Sequence, residues 1–487
     1  MAEVSDFEAI YQGVNKNVHK FKINGLPVLL DAAAGSVHLI DNAVWDFLDS
    51  IENCCGRFAY ALRELERKYS RREIKEVLRE LISLRDLGLL FADEPNAEEF
   101  LEKEKEREFM VKALCLHAAH DCNMTCGYCF AAEGNFGLKK ELMSKEVGER
   151  AVDFLLENSG SRRTLEIDFF GGEPLLNFEA IEHITAYGNK KAEEYGKRIN
   201  FTLTTNCLLL NQEVCEFVNR NKMQVILSLD GRKIINDRVR LLKDGRGSYD
   251  VVVKRILNFV ESRNHENYYV RGTFTRKNLD FSKDVFHLFD LGLKHVSVEP
   301  VVAPPGEYGF YEDDISVLEM EYERLAEGLV KRMLSGQDID FYHFNIDLDE
   351  GQCLSRKIRG CGAGFEYFAV TPSGDIYPCH QFVGEKNFLM GNVFEGIKNK
   401  DMMELFRSAH IYSKPKCREC WAKFICSGGC HASAYYFNGS LFEPLETACI
   451  LQKKRIECGI YFQLYKRFGQ QISELMDFRD SLEEKGS

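Results

Sequence analysis

Hydrophobic and polar positions alternate along Val18–Ile23 (VHKFKI), the period-two spacing of a half-buried strand. Asn24-Gly25 gives a turn into Leu26–Asp31, a second strand, and Gly35-Ser36 a turn into a third at residues 37–40. Three helical stretches follow. The clearest opens on Ser70-Arg71-Arg72-Glu73, a capping box whose side chains satisfy the free amides of a helix start. Its apolar residues Ile74, Val77, Leu78, Leu81 and Leu84 recur every three or four positions, one face of a helix. Gly88 stops it, and Leu89-Leu90-Phe91 reads as a last strand. Three strands and three helices make residues 1–95 a small, separate, winged-helix-like module. Residues 96–110 are dominated by charges of alternating sign, as in a solvated linker helix.

From residue 111 the rhythm changes. Apolar runs at 111–116, 165–170, 201–205, 225–230, 268–275 and 295–300 read as strands. Amphipathic stretches at 144–157, 178–196, 211–221, 249–263 and 281–291 separate them, and a further helix covers 313–334. Six β/α units imply parallel strands with right-handed crossovers. The fold class is α/β, either a doubly wound sheet or a barrel that need not close. In β/α barrels the site lies at the C-terminal ends of the strands, where the loops after each run fall.

The chain has 487 residues, 45% hydrophobic and 29% charged, a globular composition long enough for two to four domains. Its net charge of −13 argues against a nucleic-acid partner. No apolar run approaches the roughly 18 residues of a membrane span, and the first residues, Met1-Ala2-Glu3-Val4-Ser5-Asp6, do not read as a signal peptide. Seventeen cysteines in a chain without an export signal point to metal rather than disulfides. The expected setting is a reducing cytoplasm.

The cysteines cluster. Cys122, Cys126 and Cys129 form C-x3-C-x2-C within one short loop. Three thiolates so close can hold three irons of a [4Fe–4S] cube and leave the fourth open to a small molecule. Structural zinc is the alternative, although it normally takes four ligands arranged in CxxC pairs. The loop, with Phe130 after its last cysteine, resembles the signature of the radical S-adenosylmethionine (SAM) superfamily. The resemblance implies that SAM chelates the open iron and is cleaved to a 5′-deoxyadenosyl radical that abstracts hydrogen from a substrate. It also implies a partial (β/α)6 TIM-like barrel over residues 111–335. Carried over residue by residue, Gly171-Gly172-Glu173-Pro174 holds the SAM amine. Thr204, Asn206, Ser228, Asp230 and Arg240, with Tyr128 in the loop itself, make further SAM contacts, and Glu299 lies near adenine or substrate. Taken singly, each of these is equally a strand-end turn.

A second group follows at residues 336–487. Cys361, Gly374 and Cys379 form C-x12-G-x4-C, and Cys417, Cys420, Cys426 and Cys430 form C-x2-C-x5-C-x3-C, with Cys449 downstream and Cys353 upstream. Zinc again fits the CxxC pair alone. The whole pattern resembles the SPASM extension of radical SAM peptide and protein maturases. That resemblance implies two auxiliary [4Fe–4S] clusters, three in all. One takes Cys361, Cys379 and Cys430 with Cys353, the other Cys417, Cys420, Cys426 and Cys449. Cys54, Cys55, Cys115, Cys207, Cys215 and Cys458 read as core or incidental residues, the last four in strands or helices.

The N-terminal pattern resembles the peptide-recognition domain of ribosomal-peptide maturases. This implies that a leader peptide adds a strand to the sheet edge; a DNA-binding wing or a structural appendage is the alternative. Module, barrel and clusters in this order resemble the maturases of SCIFF peptides (six cysteines in forty-five residues), of ranthipeptide and sactipeptide type. The implied reaction joins a cysteine sulfur to a carbon of another residue in a ribosomal precursor peptide, with a flavodoxin or ferredoxin as electron donor. Three alternatives stand beside it: a formylglycine-forming sulfatase maturase, a carbon–carbon cross-linking maturase, and a non-enzymatic Fe–S redox or DNA-binding switch. Sulfatase maturases commonly place Asp after the cysteine matching Cys379. Here His380 stands there as a candidate base.

Overall fold

The computed structural model describes residues 10, 17–105, 109–348 and 354–486. β1 (Val18–Ile23), β2 (Leu26–Asp31) and β3 (Ser36–Leu39) form an antiparallel meander. Ile23 faces Leu26 across the first turn, and Asn24 and Gly25 carry φ of 49° and 77°. Two residues at positive φ make the hairpin turn whose twist matches the paired strands. β2 is buried along its length. Leu29 joins the core built with helices Asn42–Asn53, Phe58–Leu65 and Arg71–Asp86, while Leu26, Val28 and Leu30 belong to the core of the main body. The small sheet is therefore shared between two cores, and the module is not a free-standing appendage.

The capping box forms: Ser70 Oγ accepts from Glu73 N at 3.3 Å, and the Glu73 carboxylate from Ser70 N at 2.7 Å. The strand expected at 89–91 does not. Phe91 has φ +57°, outside strand geometry, and side chains tether the segment instead. His38 Nε2 bonds Leu89 O at 3.0 Å, and buried Asp31 accepts from Ala92 N at 2.9 Å. The charged linker is helical over Ala97–Lys105.

β4 (Ala113–Ala119) opens an eleven-stranded sheet, and β5 (Met124–Cys126) lies outside it. β6 (Thr164–Gly171), β7 (Arg198–Thr205) and β8 (Gln224–Ser228) follow in order; β9 (Arg240–Leu242) pairs with β5. β10 (Tyr268–Phe274), β11 (His295–Pro300) and β12 (Asp340–Phe341) complete a parallel run laid down in chain order. Helices Lys145–Glu157, Phe178–Glu194, Gln212–Arg220, Tyr249–Ser262 and Ser282–Asp290 fill the crossovers. A doubly wound sheet reverses its strand order at a switch point; this run does not reverse. On the other edge of β4 lie β13 (Tyr367–Val370), parallel, then β14 (Asp375–Tyr377), β15 (Gly391–Asn392) and β16 (Gly396–Ile397), antiparallel. The cysteine-rich segment thus continues the sheet.

Parallel sheets covered on both faces read as unbroken apolar runs. β6, β7, β8 and β10 alternate instead. Leu165, Ile167 and Phe169 of β6, and Leu203 of β7, are buried on one face. On the other face the register aligns Cys115 with Asp168 and Thr202, and Ser228 with Arg271 and Ser297. A polar face of this kind lines a space rather than a helix.

The last helix, Glu446–Gly486, is interrupted at Phe468 (φ −128°) and packs along Glu312–Leu334. It also covers the β1 edge: His19 bonds Glu457 at 2.8 Å and stacks on Trp421 at 3.9 Å. Cys54, Cys115 and Cys458 are buried and Cys215 is half-buried. Cys207 is buried too, but in the turn after β7 at φ +69°, where Thr205 Oγ1 accepts its N–H at 3.0 Å; it is not in a strand or helix. Among the described residues no helix is long and apolar enough to cross a membrane.

Candidate functional site

β4 delivers the chain to the loop of Cys122, Cys126 and Cys129 at the C-terminal edge of the parallel strands. The loop is held from several sides. β5 pairs with β9 so that Cys126 faces Arg240. A Cβ on Gly171 would lie 2.3 Å from Ala119 O, and one on Gly172 2.2 Å from Asp121 O. Only glycine allows the end of β6 to press against the loop this closely. Asn206, after β7, donates to Asn123 Oδ1 at 2.7 Å and approaches Cys122 Sγ at 3.6 Å.

Burial pushes the Cys126 thiol up to about 11; Arg240 opposes the shift, and Asp230, Cys129 and Cys122 add to it. Burial raises Cys122 in the same way. The thiolate is the ligand form, so iron bound here would displace these protons. Behind the loop, Arg240 Nη1 donates to Tyr128 Oη at 3.0 Å, Tyr128 Oη donates to Asp230 Oδ2 at 2.7 Å, and Asp230 Oδ1 accepts from Thr273 N at 3.1 Å. Burial raises the Asp230 carboxyl, with Arg240 and these hydrogen bonds opposing. The cysteine loop, the 230–240 segment and the end of β10 are thereby locked together.

Cys122, Cys126, Cys129, Tyr128, Gly171 and Gly172 line one cavity, with Thr204, Asn206, Ser228 and Arg240 completing it. Asp230 stands behind Tyr128. Two of the expected site residues lie off this cavity. Glu173 does not line the cavity: it is fully buried, and its carboxylate accepts from Leu175 N at 3.1 Å, Thr205 Oγ1 at 2.8 Å and Asn206 N at 2.8 Å. It ties the β6 and β7 ends together beneath the loop. Glu299 ends β11, five strands from β4 in the sheet, and lines a different cavity with Cys426, Cys430, Cys449 and Arg455.

Sequence reasoning missed Arg271 and Phe170, which also line the first cavity. The available signal was alternation: Tyr269, Arg271 and Thr273 interleave with Tyr268, Val270 and Gly272 in a strand assigned to a parallel sheet. Phe170 bridges two regions. Its ring lies 5.1 Å from the ring of His380, beside Cys379. Burial pushes His380 down to about 4, with Arg271 adding, and its Nδ1 lies 3.4 Å from Tyr367 Oη.

Seven C-terminal cysteines act on one another in two groups. Cys379, at the end of β14, is raised by burial and then by Cys430 and Cys361. Cys449, at the start of the last helix, is pushed up to about 12 by burial and then by Cys426, Cys417, Glu446 and Cys420. Ser427, Gly428 and Gly429 carry φ of 61°, 89° and 71°. Three consecutive left-handed residues reverse the chain between Cys426 of one set and Cys430 of the other. Cys353 lies outside the described residues.

Among the described residues no three His, Cys, Asp or Glu side chains converge on a point that could hold a single ion. A cubane spreads its thiolates over separate irons, and soft-ligand sets of three, three and four fit [4Fe–4S] clusters.

The fold and thiol sets define an α/β iron–sulfur protein, and comparison with known proteins agrees. The 4Fe-4S single cluster domain family matches residues 112–254, and the SPASM family, an iron-sulfur cluster-binding domain, matches residues 361–421. An uncharacterized protein of Methanocaldococcus jannaschii is 30% identical over 62% of this chain and 96% of its own. The radical SAM cyclopropyl synthase TigE of Paramaledivibacter caminithermalis is 22% identical over 87% of this chain and 90% of its own. Streptococcus suis SuiB, solved with its precursor peptide SuiA, superposes with a TM-score of 0.51 at 18% identity, covering 89% of this chain and 98% of its own. This chain belongs to the radical SAM/SPASM peptide-modifying enzymes.

Proposed function

We propose that this chain installs thioether links, cysteine sulfur to carbon, in a ribosomally made cysteine-rich precursor peptide. The observation that carries the reading is the grouping of ten described cysteines into the loop set and the two C-terminal sets, with Phe170 reaching from the first cavity to the residue beside Cys379. A peptide side chain in that cavity lies between the SAM site and the nearer auxiliary set. Residues 111–335 then act as the partial barrel and 336–487 as the SPASM region with two clusters, three in all.

When bound, the first cluster and SAM supply a radical that removes hydrogen from the acceptor residue. The chain's own residues do the rest. Cys122, Cys126 and Cys129 hold the iron. Arg240, fixed through Tyr128 and Asp230, presents positive charge to the SAM carboxylate. Glu173 keeps Asn206 against the loop. Phe170 and Tyr367 pack against His380, whose ring stays neutral and can accept a hydrogen bond from the substrate thiol. A flavodoxin or ferredoxin is the proposed electron donor.

Residues 1–95 recognise the leader at β3. β1 is covered by the last helix, which leaves β3 as the sheet's other edge. Ile40 N donates to Pro27 O, so residues 36, 38 and 40 carry the ladder and Val37 and Leu39 direct their backbone groups outward. Beside that edge runs a groove of about 740 Å³, walled by Leu81, Leu84, Leu464 and Phe468. An extended peptide could add a strand there and seat alternate side chains in the groove.

Carbon–carbon bond formation is the second reading, favoured by the likeness to TigE across most of the chain. Co-expression with a cysteine-rich peptide encoded beside the gene, followed by alkylation and tandem mass spectrometry, separates the two. A thioether removes two hydrogens and blocks one cysteine from alkylation; a carbon–carbon link removes two hydrogens and leaves every cysteine reactive. Formylglycine would instead appear as an aldehyde that has lost sulfur.

A further inference from the structure

Lys414 is 1% exposed. Its Nζ donates to Gly428 O at 2.8 Å and lies 3.4 Å from His431 Nδ1. Gly428 is the middle of the left-handed turn that separates Cys426 from Cys430, and a Cβ there would come to 3.4 Å from Nζ. The ammonium is thus fastened to the segment that divides the two C-terminal thiol sets. It also stands three residues before Cys417.

A buried ammonium without an anion is strongly disfavoured. Neighbouring Lys423 meets that requirement with a carboxylate: its Nζ lies 2.6 Å from Glu94 Oε1. Among the described residues Lys414 has no carboxylate partner. Burial lowers the Lys414 ammonium, and the groups that oppose the shift are cysteines, Cys417 and Cys426 of one set, then Cys430 and Cys361 of the other. His431, whose Nδ1 is the 3.4 Å neighbour, and His410 also face it and supply no anion.

We propose that Lys414 is a positioning residue whose ammonium is the shared counter-charge of both auxiliary clusters, lying between them and raising the reduction potential of each. The inference rests on the reading of these seven cysteines as cluster ligands. A thiolate-ligated cubane is anionic, and adding an electron makes it more so; a fixed positive charge nearby favours the reduced state. One charge acting on both clusters keeps their potentials together.

The test uses the full chain with Cys122, Cys126 and Cys129 changed to Ala, so that only auxiliary clusters form, in three forms: Lys414 retained, Lys414→Met and Lys414→Arg. Each is reconstituted anaerobically, assayed for iron and titrated potentiometrically by electron paramagnetic resonance. The Lys414 form should hold about eight irons, four per cube; far fewer would overturn the cluster reading itself. Lys414→Met should move both midpoint potentials to more negative values, and Lys414→Arg should leave them near the parent. If Lys414→Met loses iron while Lys414→Arg keeps it, the positive charge is needed even for assembly, which also supports the proposal. Unmoved potentials in Lys414→Met at full iron content, or equal iron loss in Met and Arg variants, would overturn it.

Discussion

Glu173→Gln isolates the charge beneath the cysteine loop. In the folded chain the carboxylate is fully buried among three donors. Burial wins over those donors and over Arg240, raising the group from 4.5 to about 7. The folded state therefore binds this proton more tightly than the unfolded state. The resulting stability is complete below about pH 4.5 and is lost as pH rises to about 7. At 1.36 kcal/mol per unit the swing is about 3 kcal/mol. Gln is nearly isosteric and cannot ionise. The variant should match wild type within about 1 kcal/mol at pH 5, a typical scatter for a mild substitution, and exceed it by up to about 3 kcal/mol at pH 8. Paired anaerobic urea titrations at pH 5, 6.5 and 8, followed by far-ultraviolet circular dichroism, measure the gap. SAM cleavage should fall even as stability rises, because an amide NH2 opposes one of the three donors and loosens Asn206. A gap that does not change with pH, or a variant less stable than wild type at pH 8, would refute the reasoning and mean that the three donors keep the carboxylate ionised.

Cys126→Ala should abolish 5′-deoxyadenosine formation under dithionite, since one of three loop ligands is gone; wild-type turnover would sink the assignment. Iron in the reconstituted wild-type chain should approach twelve, four per cube for three cubes; saturation near four with bound zinc would remove the auxiliary clusters. Deleting residues 1–95 is a poor test of leader recognition, because Leu26, Val28 and Leu30 belong to the body's core. Val37→Pro is better: it removes one outward-facing N–H from β3 without touching the ladder to β2. Losing one hydrogen bond of about 0.5–1.5 kcal/mol should weaken leader binding roughly twofold to twelvefold, read by fluorescence anisotropy. Uncoupled SAM cleavage should not change; unaltered affinity would place the leader elsewhere.

The chain by itself determined the candidate ligands and most of the elements. Thiol chemistry and C-x3-C-x2-C spacing confine three candidate ligands to one loop. Strand period, Asn24-Gly25 and the Ser70–Glu73 capping box are local signals, and local interactions made those elements in the structure. Tertiary structure decided what depends on distant segments meeting. Strand order ruled out the doubly wound sheet and placed the C-terminal strands against β4. The β5–β9 pairing brought Arg240 to Cys126. Chain reversal at Ser427–Gly429 divided neighbouring cysteines between two sets. Residues 89–91 have strand-forming composition, but Phe91 at φ +57° and the tethers from His38 and Asp31 hold the segment out of strand geometry. Glu173 and Glu299 carry the same side chain at strand ends, and no local pattern separates them. One is buried among donors under the loop and the other opens on a different cavity, because burial and partners belong to the packed molecule, not to the residue type.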